Sequence, residues 1–532
     1  MKLSEIIRDC DVLSIQGNPD VEIRSLTNDS RRVEPGSLFI AVNGCGNDGR
    51  AYLDKAIEAG AVAIMYETPG DSPITSANDD SSVIPGLTRN LDGTVPEGAA
   101  ERAFPQRSED TFQPGRSQRS GDVTVVIVKD SRKAVALSAD AFYGHPSGKL
   151  QLVGITGTNG KTTTVTLLYH LFRSLGYECG LLSTIANYVG TRRSETANTT
   201  SDPVTLNALL AEMVDAGCEY CFMEVSSIGV EQQRIAGLEF RAAIFSNLTH
   251  DHLDYHGTFA EYLRCKKAFF DGLAPSATAI INLDDKHGEV MVQNTRARVV
   301  GYSCRGAADH TARILEESFE GMLLKVDGQE VWVRLIGAHN AYNLLAVYTT
   351  ALVLGVPTDE ALVALSRLES AKGRLETLRG PKDLSVVIDY AHTPDALENV
   401  LKTLRDVAPK RELICLFGCG GDRDKTKRPE MGAVAGRLAD RIFITSDNSR
   451  TERTEDILED IKAGLDAQAL AKTVCIADRR EAIRTALLLA PAGSTLLLAG
   501  KGHETYQILG TEKRHFDERE IVLETFKNLE AC

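Results

Sequence analysis

The chain has 532 residues, 43% of them hydrophobic, and a formal net charge of −15 at pH 7. This length predicts about three domains, and the charge argues against a nucleic-acid or membrane-surface binder, since such proteins present a basic face. No stretch of the sequence approaches the roughly 18 apolar residues of a membrane span, and the first residues lack the apolar core of a secretory signal. The 11 scattered cysteines suit a reducing compartment, so we expect a cytoplasmic protein.

The first predicted domain spans residues 1–149 and alternates short helical and strand patterns. At about residues 69–122 the composition shifts to Ser, Pro, Gly, Asp, Asn and Arg without a visible period. This composition predicts a disordered or loosely packed insert, because it offers little apolar surface to bury. A strand pattern resumes at residues 123–129, and a helical pattern follows at 131–142.

A glycine-rich loop organises the second predicted domain, residues 150–376. The segment Gly157-Thr-Asn-Gly-Lys-Thr-Thr163 follows an apolar strand and precedes a helical pattern. Glycines let a backbone approach phosphates closely, and a helix N-terminus adds positive potential. Strict Walker spacing is missed, because five residues rather than four separate Gly154 from Gly160. A plain Gly/Thr-rich turn that opens a helix is the alternative interpretation.

Two side chains of this loop have predicted roles in phosphoryl chemistry. Lys161 would reach the β- and γ-phosphates of a nucleotide, and Thr162 would ligate Mg²⁺. Later segments of the same domain place Glu224 and His252 at or just beyond strand ends. The carboxyl ends of parallel strands share one sheet edge, so we predict that both lie near the loop as metal ligands. The alternatives are a surface carboxylate for Glu224 and a zinc site of neighbouring histidines for His252.

The third predicted domain, residues 377–532, again alternates strands and helices, so the predicted fold class is α/β with mostly parallel sheets. Polar segments follow its strands at 389–395, 417–429, 446–450 and 500–504. Four cations fall within residues 423–428, which in an acidic protein favours anion binding over a solvated turn. These strand ends together predict a second substrate site that faces the nucleotide.

Together with the glycine-rich loop, these motifs resemble those of the Mur ligase family. The resemblance covers almost the whole chain except roughly residues 69–122. The other motifs that carry it are Asn198-Thr-Thr200, Glu224-Val-Ser-Ser227, Asn247-Leu-Thr-His-Asp-His-Leu-Asp-Tyr-His-Gly257, Asp389-Tyr-Ala-His-Thr-Pro-Asp395, Gly418-Cys-Gly-Gly-Asp-Arg-Asp424, Asp447-Asn-Ser-Arg450 and Gly500-Lys-Gly-His-Glu504. It implies a uridine-nucleotide domain, a central P-loop ATPase-type domain with a parallel sheet, and a C-terminal Rossmann-like domain that brings an amino acid.

The resemblance also implies an activity, an ATP-dependent amide ligation in peptidoglycan precursor synthesis. The enzyme would add meso-2,6-diaminopimelate to UDP-N-acetylmuramoyl-L-alanyl-D-glutamate through an acyl phosphate, with Mg²⁺ and as a monomer. A carboxylate is a poor acyl donor, and phosphorylation supplies its leaving group; Lys161 and Mg²⁺ would stabilise the transferring phosphoryl group. In the family a carbamylated lysine positions a second Mg²⁺. The resemblance assigns this role to Lys266, with the adjacent Lys267 as the alternative register.

The resemblance assigns the remaining site residues by the ligand that each would hold. The predicted ATP residues are Gly157, Thr158, Asn159, Gly160, Lys161, Thr162, Thr163, His339, Asn343, Arg374 and Asp389. The predicted UDP-substrate residues are Asn28, Ser30, Cys45, Gly46, Asn47, Asn198, Thr199, Thr200, Ser226, Gln232 and Arg234. The predicted amino-acid residues are Arg428, Asp447, Asn448, Ser449, Arg450, Gly500 and Glu504. The catalytic residues would be Lys161, Lys266 and His252, and the metal ligands Thr162, Glu224, His252 and Lys266.

Other functions compete with this interpretation. A lysine-adding homologue and a folylpolyglutamate synthetase share the ligase chemistry, and a P-loop switch or binding module would share the nucleotide loop alone. The diaminopimelate-type pattern is Asp-Asn-Pro-Arg, and here Ser449 replaces the proline. Asn448 and Arg450 remain, and a guanidinium matches the far carboxylate that distinguishes diaminopimelate from lysine. We therefore predict diaminopimelate as the amino acid.

Overall fold

The computed structural model describes residues 1–42, 48–68, 123–196, 198–249, 253–370 and 372–530, without the side chains of 253, 254 and 530. Contacts group the chain into two compact units, Met1–Gly144 and His145–Cys532. Three predictions lie outside the described residues: the disordered insert at about 69–122, the uridine-nucleotide loop of Cys45, Gly46 and Asn47, and the metal and catalytic roles of His252.

The first unit contains a five-stranded sheet in the order β1-β5-β4-β3-β2. Its strands are β1 (Val12–Gln16), β2 (Ser25–Thr27), β3 (Ser37–Ile40), β4 (Ala63–Glu67) and β5 (Thr124–Val128), and its helices are α1 (Leu3–Ile6), α2 (Leu53–Glu58) and α3 (Ser131–Phe142). Neighbouring strands pair in parallel except β1 and β5, which are antiparallel.

The second unit begins with an eleven-stranded sheet in the order β16-β15-β14-β13-β12-β11-β6-β10-β7-β8-β9. Its strands are β6 (Gln151–Thr156), β7 (Cys179–Leu182), β8 (Asn187–Val189), β9 (Arg192–Ser194), β10 (Tyr220–Glu224), β11 (Ala242–Phe245), β12 (Thr278–Asn282), β13 (Arg298–Ser303), β14 (His310–Ser318), β15 (Gly321–Val326) and β16 (Gln329–Val333). Its helices are α4 (Lys161–Ser174), α5 (Pro203–Asp215), α6 (Ser227–Glu231), α7 (Leu253–His256), α8 (Phe259–Asp271), α9 (Gly288–Met291), α10 (Ala338–Val353) and α11 (Thr358–Arg367). The strands from β14 to β7 pair in parallel, and antiparallel strands extend both edges.

A six-stranded sheet in the order β17-β18-β22-β19-β20-β21 follows in the same unit, with a separate hairpin of β23 and β24. The strands are β17 (Glu376–Arg379), β18 (Ser385–Asp389), β19 (Leu413–Phe417), β20 (Arg441–Ile444), β21 (Thr473–Cys475), β22 (Thr495–Ala499), β23 (Tyr506–Leu509) and β24 (Glu512–His515). The helices are α12 (Pro394–Val407), α13 (Lys427–Leu438), α14 (Thr454–Lys462), α15 (Ala467–Ala471), α16 (Arg479–Leu489) and α17 (Glu518–Glu530). In this sheet β17 is antiparallel to β18, and the other pairs are parallel.

Both sheets of the second unit are covered by helices on their two faces. Helices α4 and α10 pack on one face of the central sheet, and α5 and α8 pack on the other. Helices α12 and α13 cover one face of the C-terminal sheet, and α16 and α17 cover the other. Parallel strands buried on both faces need near-continuous apolar sequences, which β18, β19 and β22 have. The predicted α/β fold class is confirmed, whereas the domain bounds stay predictions.

In the part of the chain that the structure describes, every helix is too short or too polar to span a bilayer.

Candidate active site

The glycine-rich loop joins β6 to α4, and two of its glycines have conformations that other residues rarely adopt. Gly157 has φ +152° and Gly160 has φ +88°. A Cβ atom at Gly157 would clash with Ser246 Oγ, and one at Gly160 would lie 2.5 Å from Asn343 Oδ1. The glycines are therefore required both by backbone angle and by close packing. The predicted strand, loop and helix are all present.

Hydrogen bonds from the segment after β11 hold the loop in place. Thr158 N donates to Asn247 O at 2.8 Å, and Asn159 N donates to Asn247 Oδ1 at 2.9 Å. Lys161 begins α4, and its ammonium folds back to donate to Gly157 O at 2.9 Å and Thr158 O at 2.8 Å. The predicted phosphate-binding lysine thus lies against the loop itself.

Glu224, at the end of β10, lies beside the loop helix as predicted from its strand-end position. Its carboxylate is only 1% exposed. It accepts hydrogen bonds from Thr162 Oγ1 and Thr184 N, both at 2.8 Å, and from Thr184 Oγ1 at 3.2 Å. These donors compensate the burial of the charge. The surface-carboxylate alternative is wrong for this residue, because Glu224 is buried.

The side chains of the two candidate lysines of α8 point in different directions. Lys266 is 1% exposed and donates to Gly157 O at 2.8 Å, with its Nζ 4.7 Å from the centre of the Tyr262 ring. Lys267 instead donates to Asp271 Oδ1 at 2.6 Å, one turn along the helix. The structure therefore brings Lys266, and not Lys267, to the phosphate loop.

A cavity of about 490 Å³ lies between the phosphate loop and the C-terminal sheet. Seven of the predicted ATP residues line it: Asn159, Gly160, Thr163, His339, Asn343, Arg374 and Asp389. The His339 ring stays accessible to solvent in the cavity, although protein surrounds it. Desolvation and then the charge of Arg374 lower the pKa of His339 to about 4, so the ring is neutral at pH 7.

Asp389 ends β18 at the wall of this cavity. Its carboxylate accepts hydrogen bonds from Leu375 N and Ala391 N, both at 2.8 Å. Burial raises the pKa of Asp389, and the nearby Arg374 guanidinium and the two hydrogen bonds oppose this shift. The residue fixes the backbone where the chain enters the C-terminal sheet, and it is one of the residues that line the cavity.

The predicted UDP-substrate residues of the second unit meet at the end of β10. Thr200 Oγ1 donates to Glu224 O at 3.0 Å and lies 3.1 Å from Ser226 Oγ. Arg234 donates to Thr200 O at 2.6 Å and to Gln232 Oε1 at 2.7 and 3.1 Å. Thr199 and Asn198 adjoin this cluster: Thr184 Oγ1 donates to Thr199 Oγ1 at 3.1 Å, and Thr196 Oγ1 donates to Asn198 O at 2.7 Å.

The predicted uridine residues Asn28 and Ser30 lie in the first unit. They follow β2 in a turn that Asp29 organises by accepting a hydrogen bond from Arg31 N at 3.0 Å. Both are half-buried.

The residues predicted to bind the incoming amino acid, which follow β20 and β22, also contact one another. Asn448 Nδ2 donates to Glu504 Oε2 at 2.9 Å. Gly500 has φ +112°, and a Cβ atom there would lie 2.8 Å from Asp447 Oδ2. The two loops are therefore in direct contact at one edge of the C-terminal sheet.

Three other residues predicted to bind the incoming amino acid form hydrogen bonds with groups of the protein itself. Arg428 is 0% exposed, and its guanidinium binds Glu452 at 2.9 and 3.0 Å and Asp460 at 2.8 Å. Ser449 Oγ lies 2.7 Å from a threonine hydroxyl at the start of α14. Arg450 donates to the carbonyl of Gly421 at 2.7 Å. Arg428 thus organises the cation-rich loop, while Arg450 keeps partial exposure.

Asp284, which no sequence motif singled out, lines the cavity just beyond β12. It accepts hydrogen bonds from Ser303 Oγ at 2.7 Å and from Cys304 N and Tyr342 Oη at 2.8 Å. Burial acts to raise the pKa of Asp284, but these hydrogen bonds together lower it. Its position after a strand was the available signal.

A buried ion pair was also missed. Arg479 binds Glu518 at 2.8 Å with both side chains fully buried. The same guanidinium donates to Ser446 O at 3.2 Å and Ala499 O at 2.8 Å, the residues just before the two amino-acid loops. No local pattern signals this contact, because 39 residues separate the two partners.

These features define a P-loop type α/β nucleotide-binding protein. They are the parallel sheet, the glycine loop that opens a helix, and the buried carboxylate that accepts a hydrogen bond from the loop threonine. Models of the Mur ligase family match the chain in three parts. The Mur ligase family catalytic domain matches residues 22–91, the middle domain 155–351, and the glutamate ligase domain 373–502. The chain belongs to the Mur ligase family, which confirms the resemblance of its motifs.

Individual relatives and solved structures agree with this assignment. The UDP-N-acetylmuramoyl-L-alanyl-D-glutamate--2,6-diaminopimelate ligase of Phocaeicola vulgatus is 47% identical over 529 residues, covering 99% of this chain and 100% of the relative. A solved structure of a ligase with the same name is 29% identical, with TM-score 0.67, and covers 100% of this chain and 99% of that one. The MurF ligase of Thermotoga maritima in complex with ADP shares the fold, with TM-score 0.59, 18% identity and coverage of 96% and 99%.

Proposed function

We propose that this chain is an ATP-dependent ligase that adds meso-2,6-diaminopimelate to UDP-N-acetylmuramoyl-L-alanyl-D-glutamate in peptidoglycan precursor synthesis. The observation that carries the proposal is the cavity of about 490 Å³ lined from both sheets of the second unit. The phosphate loop supplies Asn159 and Gly160, and the chain entering the C-terminal sheet supplies Arg374 and Asp389. A nucleotide in this cavity would lie beside the sheet that carries the amino-acid loops. Relatives that bear this activity in their names match the whole chain.

The reaction runs in two steps. In the first, an oxygen of the D-glutamate side-chain carboxylate attacks the γ-phosphorus of ATP, the bond to the β–γ bridging oxygen breaks, and ADP leaves. In the second, the amine of diaminopimelate attacks the carbonyl carbon of the acyl phosphate and gives a tetrahedral intermediate. This intermediate expels inorganic phosphate, the nitrogen loses a proton, and an amide bond remains. Phosphorylation is needed because a carboxylate has no adequate leaving group.

Lys161 supplies positive charge to the first step. Its ammonium now donates to Gly157 O and Thr158 O, and a phosphate oxygen in the loop would take over such hydrogen bonds. The amide groups of a glycine loop and the N-terminus of α4 add to the same field. Positioning and charge stabilisation are the main contributions that proteins make to phosphoryl transfer.

Mg²⁺ fits the donor set next to the loop. Thr162 Oγ1 and the Glu224 carboxylate, 2.8 Å apart, are the hard oxygen ligands that this cation prefers. Within the described ranges, no group of three or more His, Cys, Asp or Glu could hold a metal, so further ligands would come from phosphate oxygens, Lys266 and His252. A plain ammonium at Lys266 would repel the cation, whereas a carbamate offers anionic oxygens. Bound Mg²⁺ would neutralise charge that develops on the phosphates.

The other substrates fit the remaining polar clusters. Thr200, Ser226 and Arg234 would hold the muramoyl-dipeptide part, and Asn28 and Ser30 the uridine nucleotide. The loops of Asn448, Arg450 and Glu504 would hold diaminopimelate, because a carboxylate binds an ammonium and a guanidinium binds a carboxylate. The monomeric state and the cytoplasmic location stay predictions.

The test is ADP release by the purified full-length protein with Mg²⁺. We expect release only when the UDP-muramoyl dipeptide and diaminopimelate are both present, with the amide product identified by mass. A parallel reaction with L-lysine tests the lysine-adding alternative. A protein that hydrolyses ATP equally without either substrate would be a P-loop switch, and the proposal would be wrong.

A further inference from the structure

Lys501 lies two residues beyond β22 and is completely buried, with 0% exposure. Its Nζ donates to Glu504 Oε2 at 2.9 Å and to Asn448 Oδ1 at 3.2 Å, and it lies 3.7 Å from Asp447 Oδ1. A buried ammonium is costly unless opposite charges and hydrogen bonds compensate it, and here they do. The buried Lys501 side chain therefore links the loop after β20 to the loop after β22.

This contact fixes the orientation of the Asn448 amide. Asn448 Oδ1 accepts hydrogen bonds from Lys501 Nζ and from Ile508 N, the latter at 2.9 Å. With its oxygen held on that side, the amide nitrogen is turned to donate to Glu504 Oε2 at 2.9 Å. Reversing the amide would set its NH₂ against two donors, so the lysine selects one of the two orientations.

The same contact fixes the Glu504 carboxylate. Among the described residues, both hydrogen bonds to this side chain end on Oε2, from Lys501 and Asn448. The second oxygen, Oε1, is left to accept from a ligand. The surroundings make the lysine contact strong: Lys501 Nζ lies 5.6 Å from the Tyr506 ring and 5.9 Å from the Phe516 ring, which keep water away.

We propose that Lys501 is a positioning residue for the incoming amino acid. It does not touch the substrate, since it is buried. It acts through Glu504, whose Oε1 would accept from the ammonium of the amino acid, and through Asn448, whose amide it turns to donate to Glu504. The proposal rests on the proposed function for the identity of that amino acid. Loss of Lys501 should weaken amino-acid binding and leave ATP and UDP-substrate binding intact, because those ligands lie at other residues.

The test measures KM for each substrate of the full-length enzyme in a double-mutant cycle of Lys501→Met and Glu504→Gln. We expect Lys501→Met to raise KM for diaminopimelate at least about tenfold, the size of one lost hydrogen bond to a charged group. In the Glu504→Gln background the same change should raise it less than about twofold, because the partner it orients is already altered. KM for ATP and for the UDP substrate should stay unchanged in both backgrounds.

Lys513→Met is the matched control, because Lys513 is exposed on β24 and its Nζ lies 4.0 Å from the same Tyr506 ring. It should leave all three KM values unchanged. Equal effects of Lys501→Met in the two backgrounds, or a parallel rise in all three KM values, would overturn the proposal.

If Lys501→Met does not fold, Lys501→Arg replaces it in the same double-mutant cycle. It keeps the charge but displaces the donor atoms, so a rise in KM for diaminopimelate that disappears with Glu504→Gln supports the proposal, and one that persists contradicts it. A failure of the proposed function can be distinguished from a failure of this proposal, because the wild-type enzyme would then show no ligase activity with diaminopimelate. If the wild type uses lysine, the same cycle is measured with lysine, whose ammonium needs the same carboxylate.

Discussion

The hydroxyl of Thr162 donates a 2.8 Å hydrogen bond to the buried carboxylate of Glu224. This bond joins the first turn of the phosphate-loop helix to the end of β10, two elements that 62 residues separate. It brings two oxygen donors together beside the loop before any ligand binds. A cation that entered here would find its protein ligands already oriented, which lowers the cost of ordering them.

Glu224→Gln should keep the fold and weaken Mg²⁺ binding. The amide oxygen can still accept from Thr162 and Thr184, but the negative charge is gone. We expect the apparent Mg²⁺ affinity, measured by ADP release against Mg²⁺ concentration, to fall at least about tenfold. Glu219→Gln, a change at an exposed carboxylate just before the same strand, is the control. Unchanged Mg²⁺ dependence in Glu224→Gln would remove this residue from the metal site.

Lys266→Ala should abolish most of the turnover, whereas Lys267→Ala should have little effect. Lys266 is buried against the phosphate loop, and Lys267 pairs with Asp271 on the helix surface. If Lys266 acts as a carbamate, its loss removes an anionic ligand, and we expect turnover to fall at least about 100-fold. Added short carboxylic acids should restore part of it. The opposite ranking of the two variants would show that Lys267 carries the role.

Arg450→Ala should lower kcat/KM for diaminopimelate by at least about 2 kcal/mol, because the far carboxylate of the substrate loses its partner. A surface ion pair between Arg450 and Glu452 would leave selectivity untouched, but Glu452 is held by Arg428 and Lys425 instead. Arg450→Lys keeps the charge but not the paired hydrogen bonds, and it should be intermediate. Equal use of diaminopimelate by wild type and Arg450→Ala would contradict the assignment.

Deletion of residues 70–121 should leave ligase activity nearly intact if the replacement linker is long enough. The flanking strands β4 and β5 are parallel, with Ala63 beside Thr124 and Glu67 beside Val128. A connection between two parallel neighbouring strands has to run back along the strand, so a linker of about 12 residues is needed. Loop-closure entropy changes slowly with length, so the longer linker costs little stability. A two-residue linker serves as the contrast and should unfold the first unit. A folded long-linker variant that has lost UDP-substrate binding would show that the segment is functional.

The ionisation of Glu452 should make the free energy of unfolding depend on pH in the acidic range. Its hydrogen bonds to Arg428, above all, lower its pKa from 4.5 to about 2. A carboxyl group with a lowered folded-state pKa contributes stability above its unfolded value, and this contribution is lost as pH falls from about 4.5 toward 2. Urea unfolding across this range should show a smaller loss for Glu452→Gln than for wild type. At pH 7 the variant should be less stable, because the buried Arg428 loses one of its two carboxylate partners and keeps only Asp460. Parallel pH profiles for the two proteins would contradict this prediction.

Features that depend on neighbours along the chain could be predicted from the sequence alone. The glycine spacing around Lys161 predicted the loop between β6 and α4, because only glycines tolerate the angles and contacts that the loop has. Polar residues after apolar strands, such as Glu224 and Asp447, marked the functional edges, since parallel strands present their carboxyl ends together. The motifs were specific enough to identify the family.

The folded structure is needed to tell which side chains face the site and which face the rest of the protein. It turned Lys266 inward and Lys267 toward Asp271, a choice that adjacent positions on one helix do not reveal. It paired Arg428 with Glu452 and Asp460, and it set Lys501 against Asn448 and Glu504. These outcomes depend on contacts between residues far apart in the chain. Packing selects such contacts, because a buried charge is stable only where the fold brings a partner to it.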